Sequence, residues 1–149
     1  MQVQYSALPY RYTETGTLEI LLVTSRSRRR WILPKGLPIE GLTPSQTTAR
    51  AAYEEAGVRG TVHDKPVGRF VYDRRIDEDG QSMSCEVTVF PLEVDRQHQI
   101  WPEVWQRETR WLTFGEATVL IDDAGLKPLL RSFAEKMTAK RKPARAQVA

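Results

Sequence analysis

One sharply bounded helix, predicted over residues 43–56 between strand-rich stretches, constrains the fold of this chain more than any other feature. Thr43 is the expected N-cap, Pro44 suits the first helical position, and Gln46, three residues after Thr43, completes a capping box. Gly57 is a natural C-terminal stop. The sequence therefore predicts a helix with both ends specified, between two groups of strands.

Strand patterns lie on both sides of this helix. They are expected near residues 3–13, 17–24, 31–33, 58–63, 66–76, 83–94 and 107–113. A short helical turn from residue 115 and a helix near 125–138 follow. This order predicts an α/β (α+β) fold, an α/β/α sandwich around a mixed β-sheet.

The composition is that of a globular protein of one domain, with 149 residues, 40% hydrophobic and 28% charged. No apolar run approaches the roughly 20 residues of a membrane-spanning helix, so no membrane association is expected. Residues 1–5 lack the basic and apolar regions of a secretion signal, and the single cysteine, Cys85, allows no internal disulfide. These features favour the reducing cytoplasm.

The positive charge of the chain is concentrated at its C-terminal end. The net charge is +3, and residues 135–149 carry five basic residues against one acidic residue, which is +4 and leaves −1 for residues 1–134. We therefore expect one domain over residues 1–135 and a basic, disordered tail over residues 136–149. Because the folded body is not basic, a nucleic-acid partner is not expected.

Glu54 and Glu55 are adjacent carboxylates in the last turn of the predicted helix. Negative charge there opposes the helix dipole, and Arg50 preceding Glu54 is the weaker order for a helical ion pair. A positive group outside the helix is thus expected to compensate them. Taken alone, such a pair is more often solvated, but the loop with Lys35 and Gly36 favours a hard divalent cation and phosphate chemistry.

In these residues the chain resembles the Nudix hydrolases. Their box runs Gly, five residues, Glu, seven residues, Arg-Glu, an aliphatic residue, any residue, Glu-Glu, any residue, Gly and an aliphatic residue. The matching positions are Gly36, Arg50, Ala52, Glu54, Glu55, Gly57 and Val58. Leu42 and Ala51 stand where the box has its other two glutamates.

The resemblance covers about residues 4–135, and the segments 31–36, 68–70 and 101–112 look like the diphosphoinositol-polyphosphate and diadenosine-polyphosphate hydrolase branch. It implies hydrolysis of a phosphoanhydride bond in a nucleoside diphosphate-X, a dinucleoside polyphosphate or a diphosphoinositol polyphosphate, with Mg²⁺ or Mn²⁺ as cofactor. Glu54 and Glu55 would be catalytic metal ligands and the Gly36 carbonyl a backbone ligand, whereas Arg50 and Gly57 would be structural.

Ala51 is the serious departure, because a carboxylate there would face the same metals. Its loss predicts weaker metal binding and slower chemistry, by about 10²–10⁴-fold if the missing group was also a base. Glu40, Glu103 or Glu108 could supply the absent oxygen. Leu42 matters less, since in the family the first glutamate mainly braces the arginine.

Basic residues near the box are the expected substrate ligands. They are Lys35, Arg26, Arg28, Arg30 and Arg69. For the loop arginines, surface solvation is the alternative, and for Arg69 it is an ion pair with Asp73. The second functional hypothesis is an impaired Nudix-fold protein that binds a nucleotide or phosphorylated ligand. A monomer and a homodimer remain equally open.

Overall fold

The structure is a computed structural model that describes residues 1–148, with the side chains of residues 1–140. Eight strands and three helices are present in the described residues. The strands are β1 (Gln2–Tyr12), β2 (Leu18–Thr24), β3 (Trp31–Ile32), β4 (Lys35–Gly36), β5 (Val58–Val62), β6 (Gly68–Arg75), β7 (Ser82–Gln97) and β8 (Thr109–Thr113). The helices are α1 (Pro44–Ala56), α2 (Phe114–Leu120) and α3 (Leu126–Val148).

All strands belong to one mixed sheet, built around β1 and the long strand β7. These two run parallel, with Ser6 opposite Val89, and every other strand pair is antiparallel. The strand order is β3-β2-β1-β7-β5, with β4 paired to β1, β6 to β7 and β8 to β2. The predicted mixed sheet is confirmed.

Alternate residues of β1 face opposite layers, as the twofold repeat of a strand requires. Ala7 lies in a small apolar cluster under α1, with Ala52 and Ala56. Leu8 lies in the larger cluster on the other face, with residues of α2 and α3 such as Ala117 and Leu130. Helices therefore cover both faces, and the predicted α/β/α sandwich is confirmed.

The ends of α1 are as the sequence predicts. Thr43 and Gln46 form both hydrogen bonds of the capping box, and Gly57 ends the helix in the left-handed region at φ 71°. Thr47, Thr48, Ala51, Ala52 and Ala56 form the buried side of the helix, whereas Ala49 is exposed.

Two elements differ from the sequence-based expectation. β4 was expected to be loop, because Pro34 and Pro38 flank it; it pairs with Tyr5 and Ser6 of β1. The sequence predicts that α3 ends near residue 138, whereas the helix continues to Val148 with Pro143 in its last turns; Ala149 lies outside the described residues. A division of the chain at residue 135 and a basic, disordered tail over residues 136–149 stay predictions.

Among the described residues, no helix combines the length and the apolar character that crossing a lipid bilayer requires.

Candidate functional site

The last turn of α1 lies beside β4, and this contact places Glu55 next to Lys35. The backbone N–H of Lys35 donates to Glu55 Oε1 at 3.4 Å. Ala51, one turn earlier, packs against Gly36, where an added Cβ would lie 3.5 Å from the Ala51 Cβ. The box loop and the box helix therefore meet along one short line of contact.

The segment between β7 and β8, residues 98–108, closes over the C-terminal end of α1. The His98 N–H donates to the Gly57 carbonyl at 2.8 Å, and the Glu103 N–H donates to the Glu54 carbonyl at 3.0 Å. The Trp101 indole N–H donates to the Glu55 carbonyl at 3.2 Å. These bonds satisfy carbonyl groups that the end of a helix leaves without partners.

Gly57 is required at this junction for two reasons. Its backbone is left-handed, and a Cβ built on it would lie 2.4 Å from the ring of Trp101. The glycine thus lets the indole pack directly on the end of the helix, which gives physical content to its predicted structural role.

Residues 98–108 place an arginine beside Glu55, and the sequence analysis did not identify it as a site residue. Arg107 Nε donates to Glu103 Oε1 at 2.6 Å, and its Nη2 lies 3.9 Å from Glu55 Oε1. Its Nη1 donates to the Thr24 carbonyl at the end of β2, at 3.0 Å. Only 8% of the Arg107 side chain and 12% of the Glu55 side chain are exposed. We refer to Glu55, Arg107 and Glu103 as the Glu–Arg–Glu cluster.

The electrostatics of the cluster set the charge state of Glu55. Burial removes water from its carboxylate and raises its pKa to about 7; Arg107 and Lys35 oppose this rise and Glu103 adds to it. Burial likewise lowers the pKa of the Lys35 ammonium, opposed by Glu55 and Asp123. Near neutral pH, therefore, Glu55 exchanges between its neutral and its charged form.

Glu54 has a different environment from Glu55. Its Oε1 accepts from Arg50 Nε at 2.9 Å, and 39% of its side chain is exposed. Arg50, which lacks a glutamate at Leu42, thus pairs with Glu54 one turn on. The Glu54 side chain is thus more open to solvent than that of Glu55, of which 12% is exposed, and a metal role for Glu54 stays a prediction.

The three candidates for the missing oxygen lie in different environments. Glu103 lies in the Glu–Arg–Glu cluster. Glu108 pairs with Arg29 at 3.3 Å on the surface, and Glu40 is exposed. Glu103 and Arg107 are four residues apart, and this spacing places two side chains on the same side of a helical turn. The spacing was the sequence signal that could have identified the pair.

Most side chains of the arginine loop, residues 25–30, contact other surface residues. Arg26 donates to the Gln106 side chain at 3.4 Å, and Arg30 pairs with Asp122 at 3.3 Å. Arg28 is exposed. These three residues do not contact the Glu–Arg–Glu cluster through any hydrogen bond or ion pair within the described side chains.

Lys35 and Arg69 lie in different parts of the structure. The Lys35 ammonium lies 5.2 Å above the ring of Tyr72, and no described carboxylate is hydrogen-bonded to it. Arg69 lies on β6 opposite Thr88, where it lines a cavity of about 630 Å³ beside the N-terminal end of α1, at the opposite end of that helix from Glu55. The alternative for Arg69, an ion pair with Asp73, does not form among the side chains that the structure describes.

A divalent cation can be tested against these residues. Glu55 and Glu103 are nearly buried carboxylates that converge on one positive group, which is the kind of ligand that Mg²⁺ and Mn²⁺ prefer. In the part of the chain that the structure describes, no three acidic, histidine or cysteine side chains converge on one point. The donors therefore fit such a cation in kind, with one carboxylate fewer because position 51 is alanine.

Comparison with known proteins identifies the family. The NUDIX domain family model matches residues 5–136, and the chain belongs to the Nudix family. The resemblance of the chain to that family is confirmed.

One relative is Nudix hydrolase 12, mitochondrial, of Arabidopsis thaliana, 33% identical over 127 residues; the match covers 84% of this chain and 63% of that protein. The chain thus spans a little under two thirds of that relative's length.

Solved structures share the fold at lower identity. A C. elegans Ap4A hydrolase in a binary complex superposes with a TM-score of 0.68 at 22% identity, covering 93% of this chain and 99% of that chain. The NUDIX domain of Shewanella oneidensis NrtR, complexed with ADP ribose, gives a TM-score of 0.67 at 18% identity, covering 92% and 88%.

Proposed function

We propose that this chain hydrolyses a phosphoanhydride bond in a nucleoside diphosphate-X, a dinucleoside polyphosphate or a diphosphoinositol polyphosphate. The observation that carries the proposal is the Glu–Arg–Glu cluster at the end of the box helix, with Lys35 beside it. Acidic ligands for a cation next to basic ligands for phosphate are what phosphoryl transfer to water requires.

Family membership supports the reaction class. The relative from Arabidopsis thaliana is named a hydrolase, one structural neighbour is named an Ap4A hydrolase, and another binds ADP ribose. Ap4A and ADP ribose both contain a phosphoanhydride linkage attached to a nucleoside, which makes nucleotides the first substrates to test.

The proposed cofactor is Mg²⁺, with Mn²⁺ as a substitute. Glu55 and Glu103 would hold it, and the Gly36 carbonyl stays a proposed backbone ligand. When bound, the ion supplies positive charge that neutralises the polyphosphate and polarises the bond to be broken. Because a carboxylate must be deprotonated to bind a cation, a Glu55 pKa of about 7 makes cation binding compete with a proton.

Lys35 and Arg107 are the proposed phosphate ligands of this site. Lys35 presents an ammonium with no hydrogen-bonded carboxylate among the described side chains, and Arg107 presents a fork of donors. Positive groups fixed in a nearly dry site stabilise negative charge more strongly than exposed ones do. Arg26, Arg28, Arg30 and Arg69 remain proposed as outer contacts for a longer ligand.

The test is turnover of a panel of diadenosine polyphosphates, ADP-ribose, nucleotide sugars and diphosphoinositol phosphates with Mg²⁺ or Mn²⁺. The matched control is Glu55→Gln, which keeps the size of the side chain and removes its charge. The proposal fails if no compound in the panel is hydrolysed faster by the wild-type protein than by this variant.

Ala51 favours a second candidate, a protein that binds such a ligand without turning it over. The position is buried against Gly36, and no carboxylate there assists Glu55. Restoring the residue with Ala51→Glu separates the two functions. A large gain in rate would identify an impaired site, whereas an unchanged rate in an active protein would mean that Glu103 already provides the missing oxygen.

A cytoplasmic location and a monomeric or homodimeric state complete the proposal. Sedimentation equilibrium of the purified chain distinguishes the two assembly states. Fractionation of cells that express it tests the location, for which the mitochondrial name of the relative provides the contrasting outcome.

A further inference from the structure

Arg107 lies between the two carboxylates that would hold the divalent cation. We propose that this arginine is a built-in competitor of the cation: it neutralises Glu55 and Glu103 in the free protein and turns to the substrate phosphates when a cation replaces it. The inference rests on the proposed function, because it assumes that a cation and a phosphate meet at this site.

The contacts of the guanidinium support its role as a counter-cation. It reaches both carboxylates of the cluster, with Nε–Oε1 2.6 Å to Glu103 and Nη2–Oε1 3.9 Å to Glu55. Two nearly buried carboxylates repel each other unless a positive charge lies between them, and a buried charge left unpaired is costly. The guanidinium supplies the charge that the cation would otherwise supply.

The contacts also show how Arg107 could be released without loss of the local fold. The hydrogen bonds of residues 98–108 to main-chain carbonyls at the end of α1 come from the His98 and Glu103 N–H groups and the Trp101 indole, not from the Arg107 side chain. A freed guanidinium would keep its planar pair of donors, which matches the oxygens of a phosphate group.

A purely structural role for Arg107 predicts something different. As a clamp between β2 and residues 98–108, the arginine would support the site, so its loss would weaken the binding of cation and phosphate together. As a competitor, it opposes one ligand and assists the other, so its loss would change the two affinities in opposite directions.

The experiment measures both affinities in Arg107→Gln. Binding of Mn²⁺ alone is followed by the paramagnetic resonance of the free ion. Binding of imidodiphosphate, a pyrophosphate that resists hydrolysis, is followed by calorimetry at saturating Mn²⁺. We expect Mn²⁺ to bind about 10-fold more tightly to the variant than to the wild type. We expect imidodiphosphate to bind about 10-fold more weakly.

Arg11→Gln is the matched control. It removes an arginine whose Nε donates to a carboxylate, Glu19, at 2.9 Å, on β1 and β2 away from the cluster, and both affinities should match those of the wild type. If Arg107→Gln does not fold, Arg107→Met makes the same test, because it also removes the positive charge and keeps a long side chain.

Either of two results overturns the inference: Mn²⁺ binding no tighter than in the wild type, or imidodiphosphate binding as tight as in the wild type. Turnover of the substrate panel is measured separately. An active wild-type protein with unchanged Mn²⁺ affinity in the variant refutes the role of Arg107 and leaves the function standing. An inactive wild-type protein with the opposite changes in affinity supports Arg107 and refutes the function.

Discussion

Arginines occur in two contrasting settings near the box helix, in the arginine loop at residues 25–30 and in the Glu–Arg–Glu cluster. The loop holds four arginines in six positions, and their side chains are exposed or paired with surface residues such as Asp122. The cluster holds one arginine, nearly buried between Glu55 and Glu103. A dense run of charge marked the first setting in the sequence, and nothing comparable marked the second.

The difference shows that burial, more than charge density, decides what an arginine does here. An exposed ion pair contributes little to stability because water screens it. A desolvated guanidinium interacts strongly with its partners, and Arg107 accordingly opposes the rise that burial causes in the pKa of Glu55. Four experiments test this contrast, beginning with the largest expected effect.

Glu55→Gln should cause the largest loss of activity. The change removes the charge of the better buried carboxylate and with it a proposed cation ligand, so kcat/KM should fall by about 10³-fold. Steady-state assays on the best substrate of the panel measure the loss. A fall of less than tenfold, with the fold intact by circular dichroism, would place the chemistry elsewhere.

Glu103→Gln and Glu54→Gln form a matched pair that compares the cluster with the exposed end of α1. Glu103 contacts Arg107, whereas Glu54 contacts only Arg50 among the described charges. We expect Glu103→Gln to weaken Mn²⁺ binding by about 10–100-fold and Glu54→Gln by about threefold or less. Paramagnetic resonance gives both affinities. The reverse order would return Glu54 to the metal role that the sequence predicted.

The stability of the protein should depend on pH through Glu55. Its pKa is about 7 in the fold against an ordinary 4.5, so the folded state holds the proton more tightly. Stability gained from that proton is present below pH 4.5 and is lost as the pH rises to 7. The wild-type free energy of unfolding should therefore fall by about 3 kcal/mol relative to Glu55→Gln across this range. Urea unfolding in EDTA measures it, and parallel curves for the two proteins would contradict the shifted pKa.

Single substitutions in the arginine loop should have the smallest effect. Arg26→Gln, Arg28→Gln and Arg30→Gln each remove one exposed charge, so KM should rise by about threefold or less, and raising the salt concentration should erase the difference. Michaelis curves at low and high salt provide the measurement. A tenfold rise that persists at high salt would mean that the loop closes over the ligand.

Most of the fold could be predicted because its signals are local. The capping box at Thr43, the stop at Gly57 and the twofold pattern of β1 and β2 each depend on neighbouring residues. β4 could not be predicted, because a strand of two residues forms only where β1 offers free partners. The extension of α3 was missed because its last residues have no apolar repeat and include Pro143, which disfavours a helix interior.

The site was predictable only as far as its residues lie close in the chain. The spacing of Gly36, Glu55 and Gly57 indicated the box helix and its loop. Arg107 is far from them in sequence, and it meets Glu55 because residues 98–108 fold back onto the helix end. The different burial of Glu54 and Glu55 depends on how residues 98–108 pack on the helix end, which one sequence does not specify.

The packing of Trp101 on Gly57 makes the helix end and residues 98–108 inseparable as building blocks. A chimera that takes this segment from one homologue and the helix from another would need a glycine on one side and a ring of matching shape on the other. Laboratory recombination should therefore exchange both segments together. If residues 98–108 were transferred without a glycine for the ring to pack on, their backbone would be displaced from the helix end.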